Sequence, residues 1–277
     1  MQWAQELLDL IVPRCCAGCS VPGTVLCFCC ERELAAGLLE QSGPVNTGVM
    51  RCGLPPTWAQ GAYCGVLANI VRLHKDENRL DLTPWCARYL RSSIAGCLTQ
   101  DPVVTAAARR GDLLITAVPS SARARRDRGR DPLWDIIVAA SAGGFGQLPL
   151  PARLLRPARS TRDQVGLGAI DRARNLAGAM VVPAGWRHRA SGHVILVIDD
   201  IVTTGSTLLE AARALREAGA SHVAAVAIAA TPRADYGRGM KGVQDPHGRV
   251  LQADALSARG LPFSAQHILL GGGDLSA

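Results

Sequence analysis

Asp199 and Asp200 stand side by side in VILVIDDIVTTGSTL, residues 194–208, at the end of a run that seeks burial, and small hydroxyl residues and a glycine follow at once. In an open parallel sheet, ligands bind at the carboxyl ends of strands, where the strand-to-helix turn meets solvent. The turn IVTTGST supplies backbone N–H groups, hydroxyls and a helix N-terminus, which together suit an anion such as phosphate. Ionised acids accept hydrogen bonds from hydroxyls and repel further phosphate, so the ligand implied carries both a phosphate and vicinal hydroxyls, as a sugar phosphate does. The stretch has neither the lysine of a Walker A loop nor the glycines of a dinucleotide fingerprint, which argues against those phosphate binders.

Sulfur makes the second cluster. Six of the ten cysteines lie between Cys15 and Cys30, and Cys16/Cys19 and Cys27/Cys30 both have C-x2-C spacing. Two such knuckles joined by a turn bearing Pro22 and Gly23 can bring four thiolates around one Zn2+ in a closed, structural site. Cys15 and Cys29 are alternative ligands, and a group of small buried thiols or a redox pair is the plainer reading. Cys52, Cys64, Cys86 and Cys97 have no such pairing and read as ordinary core or surface thiols.

The elements that must position these groups alternate along the chain. DLLITAVPS, HVILVIDD and HVAAVAIAA read as buried strands, and ERELAAGLLE, TPWCARYLRSSIAGCL, DPLWDIIVAASAGG and STLLEAARALREAGA as helices. Thr83 is expected at an N-cap with Pro84 at the first helical position, Asp131 and Pro132 repeat that pattern, and Gly219 ends the last helix. Unbroken apolar strands between helices indicate an α/β core with a parallel sheet covered on both faces. QSGPVNTGVMRCGLPP reads as a linker, and the periodic pattern decays after Thr231. The expected organisation is a zinc-finger segment and linker over 1–56, an α/β domain over 57–232 and a peripheral or partly disordered tail over 233–277.

At 277 residues and 48% hydrophobic content, the chain can bury one good core and an accessory module. Glu6 and Asp9 fall where a signal peptide is apolar, and no uncharged apolar stretch is long enough to span a bilayer, so a cytoplasmic protein without membrane insertion is expected. A net charge of +7 favours anionic partners. Residues 120–130 hold five arginines against one aspartate, and residues 151–176 six against two, which suits diphosphate or a nucleic-acid backbone. At 4%, aromatic residues are scarce for a protein that stacks single-stranded bases.

VILVIDDIVTTGST closely resembles the phosphoribosyl pyrophosphate (PRPP) loop of type I phosphoribosyltransferases. That resemblance implies a type I phosphoribosyltransferase-like fold in which Asp199 and Asp200 hold the ribose hydroxyls and Thr203, Thr204, Gly205, Ser206 and Thr207 hold the 5′-phosphate. Three further segments, AVPSSARARRDRGRD, RSTRDQVGLGAIDRARNLAGAM and YCGVLANIVRLHK, together with the cysteine finger, resemble the ComF family over about residues 15–232. This second resemblance implies a flexible loop with Thr161, Gln164, Leu167, Arg172 and Asn175, the family lysine at Lys75, and an Arg-Gly pair at Arg128 and Gly129. Lys75, Ser120, Arg125, Arg126 and Arg128 would meet diphosphate or a DNA backbone. Arg130 and Asp131 stand where the family has an aromatic and an amide. PRPP or a ribose phosphate with Mg2+, single-stranded DNA and the DNA-uptake helicase machinery are the partners implied. The reaction implied is pentosyl transfer with Asp199 and Asp200 at the reacting carbon. A non-catalytic competence protein that binds single-stranded DNA, or a salvage-type transferase of unknown acceptor, are the alternatives.

Overall fold

The computed structural model describes residues 14–39, 42–45, 53–120, 126, 128–142, 148–158 and 177–232. One compact unit runs from Arg32 to Thr231, and a second contains the cysteine segment up to Glu31. In chain order the elements are α1 (Phe28–Leu39), β1 (Gly43–Pro44), β2 (Thr57–Ala62), α2 (Gly65–Asp76), a 3-10 turn (Leu80–Leu82), α3 (Thr83–Gln100), α4 (Pro102–Arg110), β3 (Leu113–Ala117), α5 (Pro132–Ala142), β4 (Arg156–Pro157), β5 (Met180–Val181), α6 (Ala184–Ala190), β6 (Val194–Val202), α7 (Ser206–Glu217) and β7 (His222–Ala230).

The main sheet has the order β1-β2-β7-β6-β3, with four parallel strands and the short β1 antiparallel at one edge. Its two central strands, β6 and β7, are the continuous apolar runs, as strands buried on both faces must be. Ile195, Val197, Val223, Ala225 and Ala227 pack in one core with Leu208, Ala211 and Leu215 of α7. Leu196, Ile198, Ala224, Val226 and Ile228 are equally buried and alternate with them, so they line the opposite face, where α3 packs on β2 and β7. This is the expected α/β architecture with helices on both faces.

β2 is the strand that hydrophobic pattern alone does not announce. TWAQGA has no run of β-branched residues, yet it pairs with β7 from Thr57↔Ala225 to Ala62↔Ala230. Between Ala59↔Ala227 and Gly61↔Ala229 the Ser93 hydroxyl of α3 enters the ladder, accepting from Gln60 N–H at 2.9 Å and lying 2.7 Å from the Ala227 carbonyl. A side chain at Gly61 would crowd Leu67 of α2 and Tyr89 of α3, so the bare glycine lets both helices pack close on the strand.

Two local expectations are corrected. Thr83 is not an N-cap. The 3-10 turn runs directly into α3, so Leu82 takes the cap position, and the Thr83 hydroxyl donates to the Leu80 carbonyl at 2.7 Å. The acid pair, in turn, is not the end of its strand. β6 continues beside β7 to Val202↔Ala230, whereas β3 stops opposite Ile198. The acids therefore occupy a stretch of β6 that has lost its neighbour on one side only, and Asp199 is buried.

Caps elsewhere follow sequence chemistry. Asp101 accepts from the N–H groups of Val103 and Val104 at the start of α4, and Gly111 closes that helix with φ +76°. At α5, the Asp131 carboxylate accepts from Ser120 Oγ at 3.2 Å and pairs with Arg153 at 2.8 Å. The start of α2 is capped from outside, since Glu33 Oε1 accepts from Val66 N–H at 3.2 Å.

Candidate functional site

In the part of β6 that β3 leaves uncovered, the two acids face different surroundings. Lys75, in the last turn of α2, makes an ion pair with Asp200 from 125 positions away in the chain. Burial would raise the Asp200 carboxyl, but the Lys75 ammonium outweighs it and the net direction is down. Asp199 moves well above the ordinary carboxylate range, first because it is buried and then because ionised Asp200 is beside it. Lys75 thus stabilises charge on Asp200, while burial and that neighbouring charge work against charge on Asp199. Ionised Asp200 can only accept hydrogen bonds.

The turn that follows is closed by its own hydroxyls and a glycine. Gly205 has φ +71°, a left-handed conformation natural to glycine, and so starts α7 at Ser206. Thr204 Oγ1 and Ser206 Oγ lie 2.9 Å apart, and Leu209 N–H reaches the Gly205 carbonyl at 2.8 Å. Ser206 N–H reaches Thr204 Oγ1 at 3.5 Å, so the hydroxyls of Thr204 and Ser206 gather at the first turn of α7.

Of the residues expected to meet a diphosphate, Ser120 bonds Asp131 at 3.2 Å, Arg128 meets Asp76 at 3.1 Å and Arg126 is exposed. Arg125, Thr161, Gln164, Leu167, Arg172 and Asn175 lie outside the described residues. Arg130 and Asp131, the two departures from the family pattern, are both cross-links. Arg130 pairs with Asp135 at 2.6 Å and bonds Asn78 and the His74 carbonyl. Neither role was legible in composition; the unusual residue types at those positions were the available sign.

His74 and Glu210 were also missed. His74 is fully buried, with Nε2 3.0 Å from Thr83 Oγ1 and no partner for Nδ1 among the described residues. Burial, with Arg130 close by, brings its pKa down to about 4, so it stays neutral and leaves Lys75 the cation of that turn. Glu210 of α7 accepts from Met180 N–H at 2.9 Å and pairs with Arg213 at 2.8 Å, which ties β5 to the helix. A cavity of about 400 Å³ runs along this flank of α7, from Ser206 of the turn past Leu209, Glu210 and Arg213; Lys75 and the acid pair do not line it.

In the cysteine segment, the sulfurs of Cys16, Cys19, Cys27 and Cys30 all lie within 4.8 Å of one another. Four thiolates on one Zn2+ at about 2.3 Å stand about 3.8 Å apart, so the group needs only slight contraction to close on the ion. Cys19 and Cys27 are already 3.5 Å apart, and Cys27 N–H donates to Cys16 Sγ at 3.2 Å. Burial opposes a thiolate at Cys16, but the N–H groups of Cys19, Cys27 and Gly18 outweigh it and bring the thiol to about 6. Burial and the adjoining cysteines push Cys30 the other way. Cys15 and Cys29 are exposed and stand outside the group, while Cys86 and Cys97 are core residues. Four cysteines so close can bind a metal such as zinc.

The family model of the phosphoribosyl transferase domain matches residues 168–242, a span that contains β6, the turn, α7 and β7. With the fold, this match supports the type I phosphoribosyltransferase-like superfamily and a phosphoribosyl-transfer-like function. No curated protein matches the sequence. None of the described helices is long and apolar enough to cross a membrane.

Proposed function

We propose that this is a cytoplasmic ComF-type phosphoribosyltransferase-like protein that binds PRPP or a ribose phosphate with Mg2+, and that it serves DNA uptake. The observation that carries the ligand is the continuity of Asp199, Asp200 and the Thr203–Thr207 turn with the N-terminus of α7, inside the matched segment. The acids take the ribose hydroxyls, and the turn takes the 5′-phosphate. In transfer, the bond from ribose C1 to the diphosphate breaks with its electron pair leaving on diphosphate, and an acceptor nucleophile bonds to C1. Asp200 faces the positive charge that develops at the sugar, and Lys75 is placed to leave it for the departing anion. Mg2+, when bound, neutralises diphosphate charge; the protein's own acids are balanced by Lys75 and a proton, which favours entry of the ion on the substrate's oxygens. Zn2+ on Cys16, Cys19, Cys27 and Cys30 serves folding, because four sulfurs leave no open position.

Titration calorimetry of PRPP with and without Mg2+ tests this reading, followed by diphosphate release with candidate acceptors. Heat from PRPP that depends on Asp200 supports it, and no binding in either condition sinks it. Exposed Arg126 beside Arg128 favours a second reading, single-stranded DNA held on the same loop. Under that reading, neutralising Arg125, Arg126 and Arg128 reduces the salt slope of DNA binding by about 0.7 per lost phosphate contact.

A further inference from the structure

Lys75 and Lys241 are the only lysines among the thirty basic residues of the chain, and Lys75 sits on a helix end held from both sides. His74 is among the last four residues of α2, whose carbonyls a helix leaves without internal partners. Arg130 donates to that carbonyl and to Asn78 Oδ1, and it meets Asp135 of α5 at 2.6 Å. Asn78 has φ +61°, where the chain turns out of the helix. The Arg130 side chain is only 13% exposed, so these contacts are largely shielded from water. On the other side of Lys75, Arg128 meets Asp76 at 3.1 Å, a pair open enough to solvent to contribute little.

We infer that Arg130 is a positioning residue for the candidate site: by holding the His74 carbonyl to α5, it sets the last turn of α2 so that Lys75 reaches Asp200. The inference deepens the proposed ligand site and rests on that reading for its function. Three acceptors in different directions need the planar fork of a guanidinium, which a single ammonium cannot span. Among the described residues, the charged and titratable groups around the Lys75–Asp200 pair are Asp199 on β6, Asp76 on α2 and Cys86 on α3. None of these is a second cation that could replace Lys75. Arg130 therefore acts on the acid pair only through the helix turn.

The test is competitive acetylation of the full-length protein with an amine-directed ester, read by mass spectrometry at Lys75, with Lys241 in the same digest as reference. The ester attacks only the unprotonated amine, so the ion pair protects Lys75. Arg130→Met should speed Lys75 labelling about tenfold, equivalent to one pKa unit of lost protection. Arg130→Lys should not restore it. Asp135→Asn, which leaves the other two acceptors in place, should give a smaller increase, and it decides the question if Arg130→Met does not fold by circular dichroism. An unchanged Lys75 rate in a folded variant overturns the inference. A double-mutant cycle with PRPP and Mg2+ separates positioning from general structural support. The Arg130→Met loss of affinity should disappear in a Lys75→Met background, and additive losses overturn the inference. A parent protein that binds no PRPP sinks the proposed function alone, because the labelling result still decides the role of Arg130.

Discussion

Two regions of this protein gather groups that repel one another when ionised, and they balance the charge in different ways. Near the end of β6, burial and ionised Asp200 work against charge on Asp199, and Asp200 is matched by Lys75, brought in by α2. In the cysteine segment, what favours the Cys16 thiolate is backbone N–H and a neighbouring thiol. An acid pair with its own cation can exchange that cation for a ligand and return to it. Four converging sulfurs can have their charge met by a metal such as zinc. The first arrangement suits a site that binds and releases, the second a permanent structural clasp.

The sharpest way to break this contrast is to remove a sulfur. Protein purified without chelator should carry about one zinc per chain, and Cys16→Ser or Cys30→Ser should lose it. Structural zinc contributes on the order of 10 kcal/mol to the segment it folds, so residues 14–31 should become protease-sensitive in those variants. A variant that keeps a full equivalent of zinc and the same protease resistance would remove the distinction.

At the acid pair, the two carboxyls should respond unequally. Asp200→Asn removes the charge-assisted bonds of an ionised group, about 1.5 to 3 kcal/mol, and should weaken PRPP binding more than tenfold. Asp199→Asn replaces a protonated carboxyl by a neutral amide of similar shape and should cost about threefold or less, well under 1 kcal/mol. Calorimetry on the two single variants decides between them, and equal losses would mean that both acids are ionised in the working site.

A pH-dependent effect concerns the residue that keeps Lys75 the cation of its turn. His74 is neutral in the folded protein with a pKa near 4, while in the unfolded chain it titrates near 6.5. The folded value is depressed, so unfolding takes up a proton below pH 6.5, and stability falls as pH drops from there toward 4. Between pH 7 and pH 5 the loss should be about 2 kcal/mol, read from urea midpoints. His74→Gln should flatten that decline, and an equally steep decline in the variant would assign the acid sensitivity elsewhere.

Much of this was legible before any coordinates. β6 and β7 are apolar enough that only a strand covered on both faces accommodates them, and Gly205 marks the turn where the backbone must become left-handed. The two C-x2-C knuckles carry their own geometry, because a ligand spacing that short leaves the chain few ways to point both sulfurs at one ion. β2 was not legible as a strand. Its stability comes from the alanine-rich β7 beside it, from Ser93 inserted in the ladder and from the absence of a side chain at Gly61, none of which is a periodic pattern.

The sequence by itself determined the fold class and the presence of a cysteine cluster, because each rests on residues close together in the chain, while the structure selected Cys16, Cys19, Cys27 and Cys30 from the six. Tertiary structure alone decided the ionic state of the acid pair. Asp199 and Asp200 are identical side chains with consecutive numbers, and nothing local distinguishes them. The difference arises because β3 ends opposite Ile198, which frees one side of β6, and because α2, held at its last turn by Arg130, brings Lys75 to Asp200 and not to Asp199. A carboxyl's charge depends on how much water it loses and which cation it faces, and both are set by elements far apart in sequence.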